Sequence, residues 1–298
     1  MVDRPRVIGV LALVVASLLA SACGAVGASS SAGTSAPSPI GETSTGTAAP
    51  VAHLVPAARV IAASARSSRA GSVRMTMTMT PIGGLAGNQV RVVGVLTTRP
   101  PLNGSISVTV PTAGGLVTMR ETVLPGVVYM HMPAGIRLVG GRWLRVPLSP
   151  LAGSGLDALE SQDVSPGQEL SYLAGTTPRV VDLGPAVVAG LPTTHYRLTV
   201  DLRRVAARTD VALRPALEKL VQQEIRLQGS ANLPMQAWID RQGRLRRLTY
   251  TLATAEGRMA VTIGLSDFGV PVHVSPPPSA DIVTLPPALQ AALEKNGL

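Results

Sequence analysis

Residues Val73 to Thr80 read Val-Arg-Met-Thr-Met-Thr-Met-Thr. A strict period of two sends Val73, Met75, Met77 and Met79 to one side of an extended strand and Arg74, Thr76, Thr78 and Thr80 to the other. A helix would scatter the same methionines around its circumference. The segment therefore demands a sheet with one apolar and one polar face, and the rest of the chain has to supply its neighbours and its cover.

The neighbours follow in the same style. Gln89 to Thr98, Ser105 to Val110, Leu116 to Leu124, Val127 to Met132 and Arg142 to Pro147 read as strands. Ile106, Val108 and Val110 share a face of the second of these, and Pro125-Gly126 separates two others. A later group covers Val180 to Val188, Thr193 to Leu202, Met235 to Asp240, Arg244 to Ala253 and Met259 to Leu265, with Arg241-Gln242-Gly243 as a turn. Short runs broken by Gly, Pro and Asn imply antiparallel hairpins.

Helices are few. His53 to Arg69 carries Leu54, Ala58, Ile61, Ala62 and Ala65 at helical spacing, with Pro56 in the first turn. Ser154 to Gln162 and Ser165 to Ala174 suit short helices. Leu213 to Leu227 places Leu213, Leu217, Leu220, Val221 and Ile225 on one face, and Pro287 to Glu294 suits a last helix. That is too little helix to cover both faces of a sheet this wide. The fold class expected is α+β: a single, strongly curved antiparallel sheet whose concave apolar side wraps a few helices.

The N-terminus has another character. Arg4 and Arg6 precede an apolar run from Val7 to Ala20, and Ala20-Ser21-Ala22 supplies the small residues of a signal-peptidase site. The run is shorter than the ~20 residues that a membrane-spanning helix needs. Residues 1–22 are thus expected to be a cleaved export signal. Cys23, the single cysteine of the chain, follows at once and precedes Gly24. Two processing routes fit. Cys23 can receive a diacylglyceryl group and become the N-terminus of a lipoprotein, or an ordinary A-x-A cleavage can leave a free thiol. The usual motif has Leu three residues before the cysteine. Here Ala20 holds that position and Leu19 stands one step further back. A lone cysteine has no disulfide partner in an exported protein and stands where acylation would use it, which favours lipidation. Residues 24–50 are almost wholly Gly, Ala, Ser, Thr and Pro, with Glu42 the one charge. Such a segment buries too little to offset its ordering entropy and reads as a tether. Residues 51–298 then form one domain.

Apolar residues make up 46% of the chain, yet it has one Phe, two Trp and four Tyr. Its core must be aliphatic and methionine-rich. Aromatic platforms for sugars are scarce, whereas Met and Val walls suit acyl chains as well as they suit an ordinary core. The formal net charge of +9 comes almost entirely from arginine, with Lys219 and Lys295 the only lysines. These arginines are scattered, and an exported protein lacks access to nucleic acid, so no nucleic-acid partner is expected. Anionic lipid surfaces or an acidic partner remain.

Catalytic and metal signatures are not apparent. His53, His131, His195 and His273 lie far apart, without H-E-x-x-H spacing. His131 and His195 fall in strands, where a structural role is expected. There is no G-x-S-x-G elbow and no G-x-x-x-x-G-K-[ST] loop. Gly153-Ser154-Gly155 begins a partial dinucleotide fingerprint, but no βα unit surrounds it. Asp201 and Asp240 end strands and are expected to accept turn hydrogen bonds. The chain is read as a non-enzyme with no cofactor and no metal.

Four phrases carry a family resemblance. They are Val128-Tyr129-Met130-His131-Met132-Pro133 before Arg142-Trp143-Leu144-Arg145-Val146; Leu191 to Leu202, Leu-Pro-Thr-Thr-His-Tyr-Arg-Leu-Thr-Val-Asp-Leu; Met235-Gln236-Ala237-Trp238-Ile239-Asp240 before Gly243-Arg244-Leu245; and Asp267-Phe268-Gly269-Val270-Pro271-Val272 before Pro276. With Cys23 they make the chain resemble the LppX/LprAFG-type lipoproteins of actinobacteria, whose fold is like that of the carrier LolA. The resemblance implies a half-barrel sheet and a hydrophobic cavity between sheet and helices. It also implies a membrane-anchored protein, on the extracytoplasmic face, that binds acylated lipids or glycolipids and carries or presents them across the envelope. The expected cavity wall is Val73, Met75, Met77, Met79, Ile106, Val108, Leu217, Leu220, Val221, Met259, Val261 and Ile263. The alternative is a LolA-like sensor or adaptor that binds another membrane or regulatory protein, as RseB-type regulators do. An envelope transporter as partner fits the carrier reading, and a regulatory protein fits the adaptor reading.

Overall fold

The computed structural model describes residues 55–284, apart from 84–87, 100, 113, 132, 134–141, 148–172, 174, 208–213 and 255–256. Cys23, the leader, the tether, most of the segment expected to hold two short helices and the expected last helix lie outside the described residues.

The Met/Thr alternation forms β1 (Ser72–Pro81), whose Val73, Met75, Met77 and Met79 are all buried. It is flanked on one side by β2 (Val90–Thr97), β3 (Gly104–Thr112), β4 (Gly115–Leu124), β5 (Val127–His131) and β6 (Trp143–Pro147), in that order. On its other side stands the last long strand of the chain, β11 (Gly257–Ser266), then β10 (Leu245–Thr254), β9 (Asn232–Asp240), β8 (Leu191–Asp201) and β7 (Val181–Val188). Two antiparallel meanders are thus joined edge to edge by the β1–β11 pairing, in which Met77 faces Ile263. The eleven strands expected from the sequence are all present, in a single sheet.

A twelfth, β12 (Ile282–Thr284), pairs with β6 and runs parallel to it. Only three residues long, it follows the proline-rich stretch from Pro276 and shows no alternation to read. The sheet is otherwise antiparallel.

Helix α1 (Pro56–Ser68) starts with proline in its first turn, as expected. Its buried face is Val60, Ala63, Ser64 and Ser67 rather than the stripe through Ala58, Ile61 and Ala65 that apolarity alone selects. The reason is a hydrogen bond: the Leu245 amide donates to Ser67 Oγ over 2.9 Å. The pairing of β10 with β9 slips between Leu245 and Arg247, so this amide stands at an irregularity of the ladder. A buried amide needs an acceptor, and the serine supplies it. Arg66 Nη1 donates to the Gln242 carbonyl at 2.7 Å, tying the helix to the β9–β10 turn as well.

Helix α2 (Leu202–Ala207) cuts short the strand expected to reach Leu202. Asp201 Oδ1 accepts the Arg203 amide at 3.0 Å, a helix cap at the end of β8. Helix α3 (Arg214–Gln228) lies against α2 and β10. Its Gln228 Nε2 donates to the Thr251 carbonyl at 3.2 Å. Helix α1 packs over β8, β9 and β10. The helices therefore concentrate on the β8–β10 side of the molecule. No described helix lies against β1–β6 to a comparable extent.

Candidate functional site

The register of the sheet turns the period-two alternation into rows that cross many strands on the apolar face. One runs Met119, Val108, Val92, Met77, Ile263, Leu248, Ala237, Tyr196, from β4 through β1 to β8. A second runs Val90, Met79, Val261, Tyr250, Met235, Leu198. A third runs Leu144, Met130, Glu121, Ile106, Gly94, Met75, Leu265. Most of these side chains belong to one continuous buried cluster that also contains Val60 and Ala63 of α1.

The candidate wall residues of β1, β3 and β11 thus come together on one face. Val73, Met75, Met77, Met79, Ile106, Val108, Val261 and Ile263 are buried, and Met259 is half-buried against the same cluster. Val221 of α3 is buried and belongs to it too. Leu217 and Leu220 fall within α3, but their side chains lie outside the described residues. Cys23 does so as well.

Glu121 was not singled out by reading along the sequence. It is 4% exposed, within β4, with its backbone paired to Ile106 on one side and Met130 on the other. Its own-strand neighbours on that face are Met119 and Val123, both buried. Among the described residues it is the one charged residue with its whole surface so buried, and its Oε1 has no hydrogen-bond partner. Burial in hydrocarbon pushes the carboxyl up to about 7. The alternation Met119, Glu121, Val123 was the available signal: it puts an acid in an apolar row.

The opposite face of the sheet carries the polar residues. His195 stacks on Trp238 with ring centroids 4.2 Å apart, and its Nε2 lies 2.8 Å from Gln236 Oε1. His131 meets Trp143 edge to face at 5.1 Å. Both histidines are occupied by cross-strand partners, in keeping with the structural role expected. Asp240 accepts the Gln242 and Arg244 amides on Oδ1, at 2.9 and 2.8 Å, and Arg246 Nε on Oδ2 at 2.7 Å. Asp240 therefore holds a turn, as its position at a strand end indicated, while Asp201 caps α2 instead. Among the described residues no group of three or more His, Cys, Asp or Glu is gathered to hold a metal ion. No described helix is long and apolar enough to cross a membrane.

The class defined is a broad β-sheet protein with a continuous apolar face and helices gathered on one side. Neither a protein-family model nor a curated protein matches the sequence. Among solved structures, the chain is similar to LprF from Mycobacterium bovis, at 18% identity and a TM-score of 0.47 over 74% of this chain and 96% of that one. It is also similar to the Mycobacterium tuberculosis lipoprotein LppX, at 17% identity and a TM-score of 0.43 over 72% and 98% of the two chains. A LolA superfamily protein from Nitrosomonas europaea aligns at 10% identity and a TM-score of 0.27, over 75% and 96%. Similarity at these scores assigns no ligand and no role to any residue here.

Proposed function

We infer that this chain is an envelope lipoprotein that binds acylated lipid against the apolar face of β1–β4 and β11, and carries or presents it across the envelope. The observation that carries this is the methionine-rich set of rows with no comparable helix packing among the described residues. Methionine is unbranched and adapts to irregular apolar shapes, so it suits a surface that must accept chains of differing packing. Each methylene moved from water to such a face contributes about 0.8 kcal/mol, so a dozen give useful affinity without polar contacts. The export signal, Cys23 and the tether of residues 24–50 would hold the folded body near a membrane without fixing its orientation, with the diacylglyceryl group as anchor.

Native mass spectrometry of a Cys23→Ser form, purified from an envelope fraction without detergent, tests the inference. An added mass that extracts into organic solvent and fragments as an acylated lipid supports it. A bare chain, unchanged after incubation with envelope lipids, contradicts it.

One observation favours a second role, that of an adaptor for another envelope protein. Strand β7 ends the sheet, and it and the start of β8 expose Val181, Leu183, Val187 and Leu191. An apolar edge strand is a template for an added strand from a partner. A bare mass together with co-purification of one envelope protein, lost on Val187→Lys, would move the assignment there.

A further inference from the structure

Glu121 is the feature of the apolar face that an ordinary core does not explain. A carboxyl group buried without a hydrogen-bond partner costs free energy that Leu or Met at the same position would avoid. Among the described residues, its neighbours on the sheet offer nothing in return. The cross-strand neighbours on its face are Ile106 and Met130, and the along-strand ones are Met119 and Val123. Arg120 and His131 pair with each other's backbone one position on, so period two turns their side chains to the opposite face.

The row beyond Glu121 is also unusual. Its next members are Ile106 and then Gly94, so one position carries no side chain. A Cβ on Gly94 would come within 2.8 Å of the Ser105 carbonyl oxygen and 3.1 Å of Ile106 Cγ1. Ile106 thus lies close over the space that Gly94 leaves. The acid and this tightly packed glycine share one row, in the part of the sheet that the described helices do not favour.

We propose that Glu121 is a ligand-binding residue: its carboxyl group accepts a hydrogen bond from a free hydroxyl on an acylated lipid whose chains lie along the Met75, Met77 and Met79 face. This rests on the lipid-binding role inferred above and adds to it a specificity, for lipids with an unesterified hydroxyl close to the acyl chains. The bound hydroxyl supplies the partner that Oε1 lacks in the protein alone, and the apolar walls remove the water that would compete for it.

The probes are a pyrene-labelled diacylglycerol, which has one free hydroxyl, and its O-methyl ether, which has none. Binding of each to the full chain is followed by pyrene fluorescence. The unmodified protein is expected to prefer the diacylglycerol by about fivefold or more, the range of one net hydrogen bond. Glu121→Gln keeps an acceptor and should keep the preference. Glu121→Leu should bind both probes alike, at or above the strength of the ether. Equal binding of the two probes by the unmodified protein overturns the role of Glu121 and leaves lipid binding standing. Binding of neither probe overturns both. The comparison within the unmodified protein decides the matter even if a variant fails to fold.

Discussion

The two meanders of this sheet use the same alternation for different ends. In the β7–β11 half, inward residues such as Leu248, Ala237 and Tyr196 belong to the strands over which α1 and α3 pack. Those helices are fixed by named polar contacts: Ser67 to the Leu245 amide, Arg66 to the Gln242 carbonyl, Gln228 to the Thr251 carbonyl. In the β1–β6 half the inward residues are Met75, Met77, Met79, Val92, Ile106, Val108 and Met119, with a lone acid among them. No described helix is fastened over that half in the same way. Among the described residues one half is clamped by helices and the other, equally buried, is not, and the row from Met119 to Tyr196 runs unbroken between them.

Paired truncations within that row bring out the difference most strongly. Leu248→Ala, on the strand that carries both helices, is expected to cost about 4 kcal/mol in urea unfolding, because the clamped site collapses poorly. Met77→Ala, three strands from the sheet's helix-bearing centre at β9, is expected to cost only about 2 kcal/mol, because its surroundings can close over the gap. Equal losses would mean that both halves are packed alike.

Glu121 offers a second contrast through pH. Its folded carboxyl titrates near 7, against about 4.3 for an unfolded glutamate. Between those values the folded chain keeps a proton that the unfolded chain has lost. Its contribution to stability is therefore fully present below about pH 4 and is lost as the pH rises to about 7. Glu121→Leu removes this dependence, so its advantage over the unmodified protein should grow between pH 4 and pH 8 by on the order of 3 kcal/mol. The two proteins differ at this one position, so the change belongs to Glu121 and its burial. Parallel stability profiles for the two proteins would contradict the burial of this acid.

A smaller effect tests how the helices are held. Ser67→Ala leaves the Leu245 amide buried without its acceptor and should cost about 1–2 kcal/mol. It should leave lipid binding by the β1–β4 face unchanged, and a matching fall in lipid affinity would show that the halves are coupled. Smallest of all, His195→Ala removes a stacked pair on the polar face and should cost about 0.5–1 kcal/mol without altering lipid binding. Both are read by urea unfolding beside the pyrene assay.

Much of this division was legible in the residues. The Met/Thr alternation of 73–80 located β1 and its buried face, and the flanking Gly and Pro residues located the hairpins. What no local pattern could give was the partner of β1 across the closure of the two meanders. Pairing with β11 joins segments nearly two hundred residues apart, and alternation names a strand's face but not its neighbour. Apolarity also misjudged α1, where Ser67 turns inward to accept the Leu245 amide at an irregular point of the ladder. The three-residue β12 is too short for any period to register. Glu121 was hidden for the opposite reason: the strand containing it was recognised, but an acid flanked by Arg120 and Thr122 looks like part of a solvated run until its register with Ile106 and Met130 is known.

The most direct test is photocrosslinking of the full chain with a diacylglycerol carrying a diazirine in one acyl chain, followed by peptide mass spectrometry. Adducts concentrated on peptides of β1, β3 and β11, at Met75, Met77, Met79, Ile106, Val108, Val261 and Ile263, are the expected result. Adducts confined to the exposed residues of β7 and β8, such as Val187 and Leu191, would contradict a lipid site on the β1–β4 face.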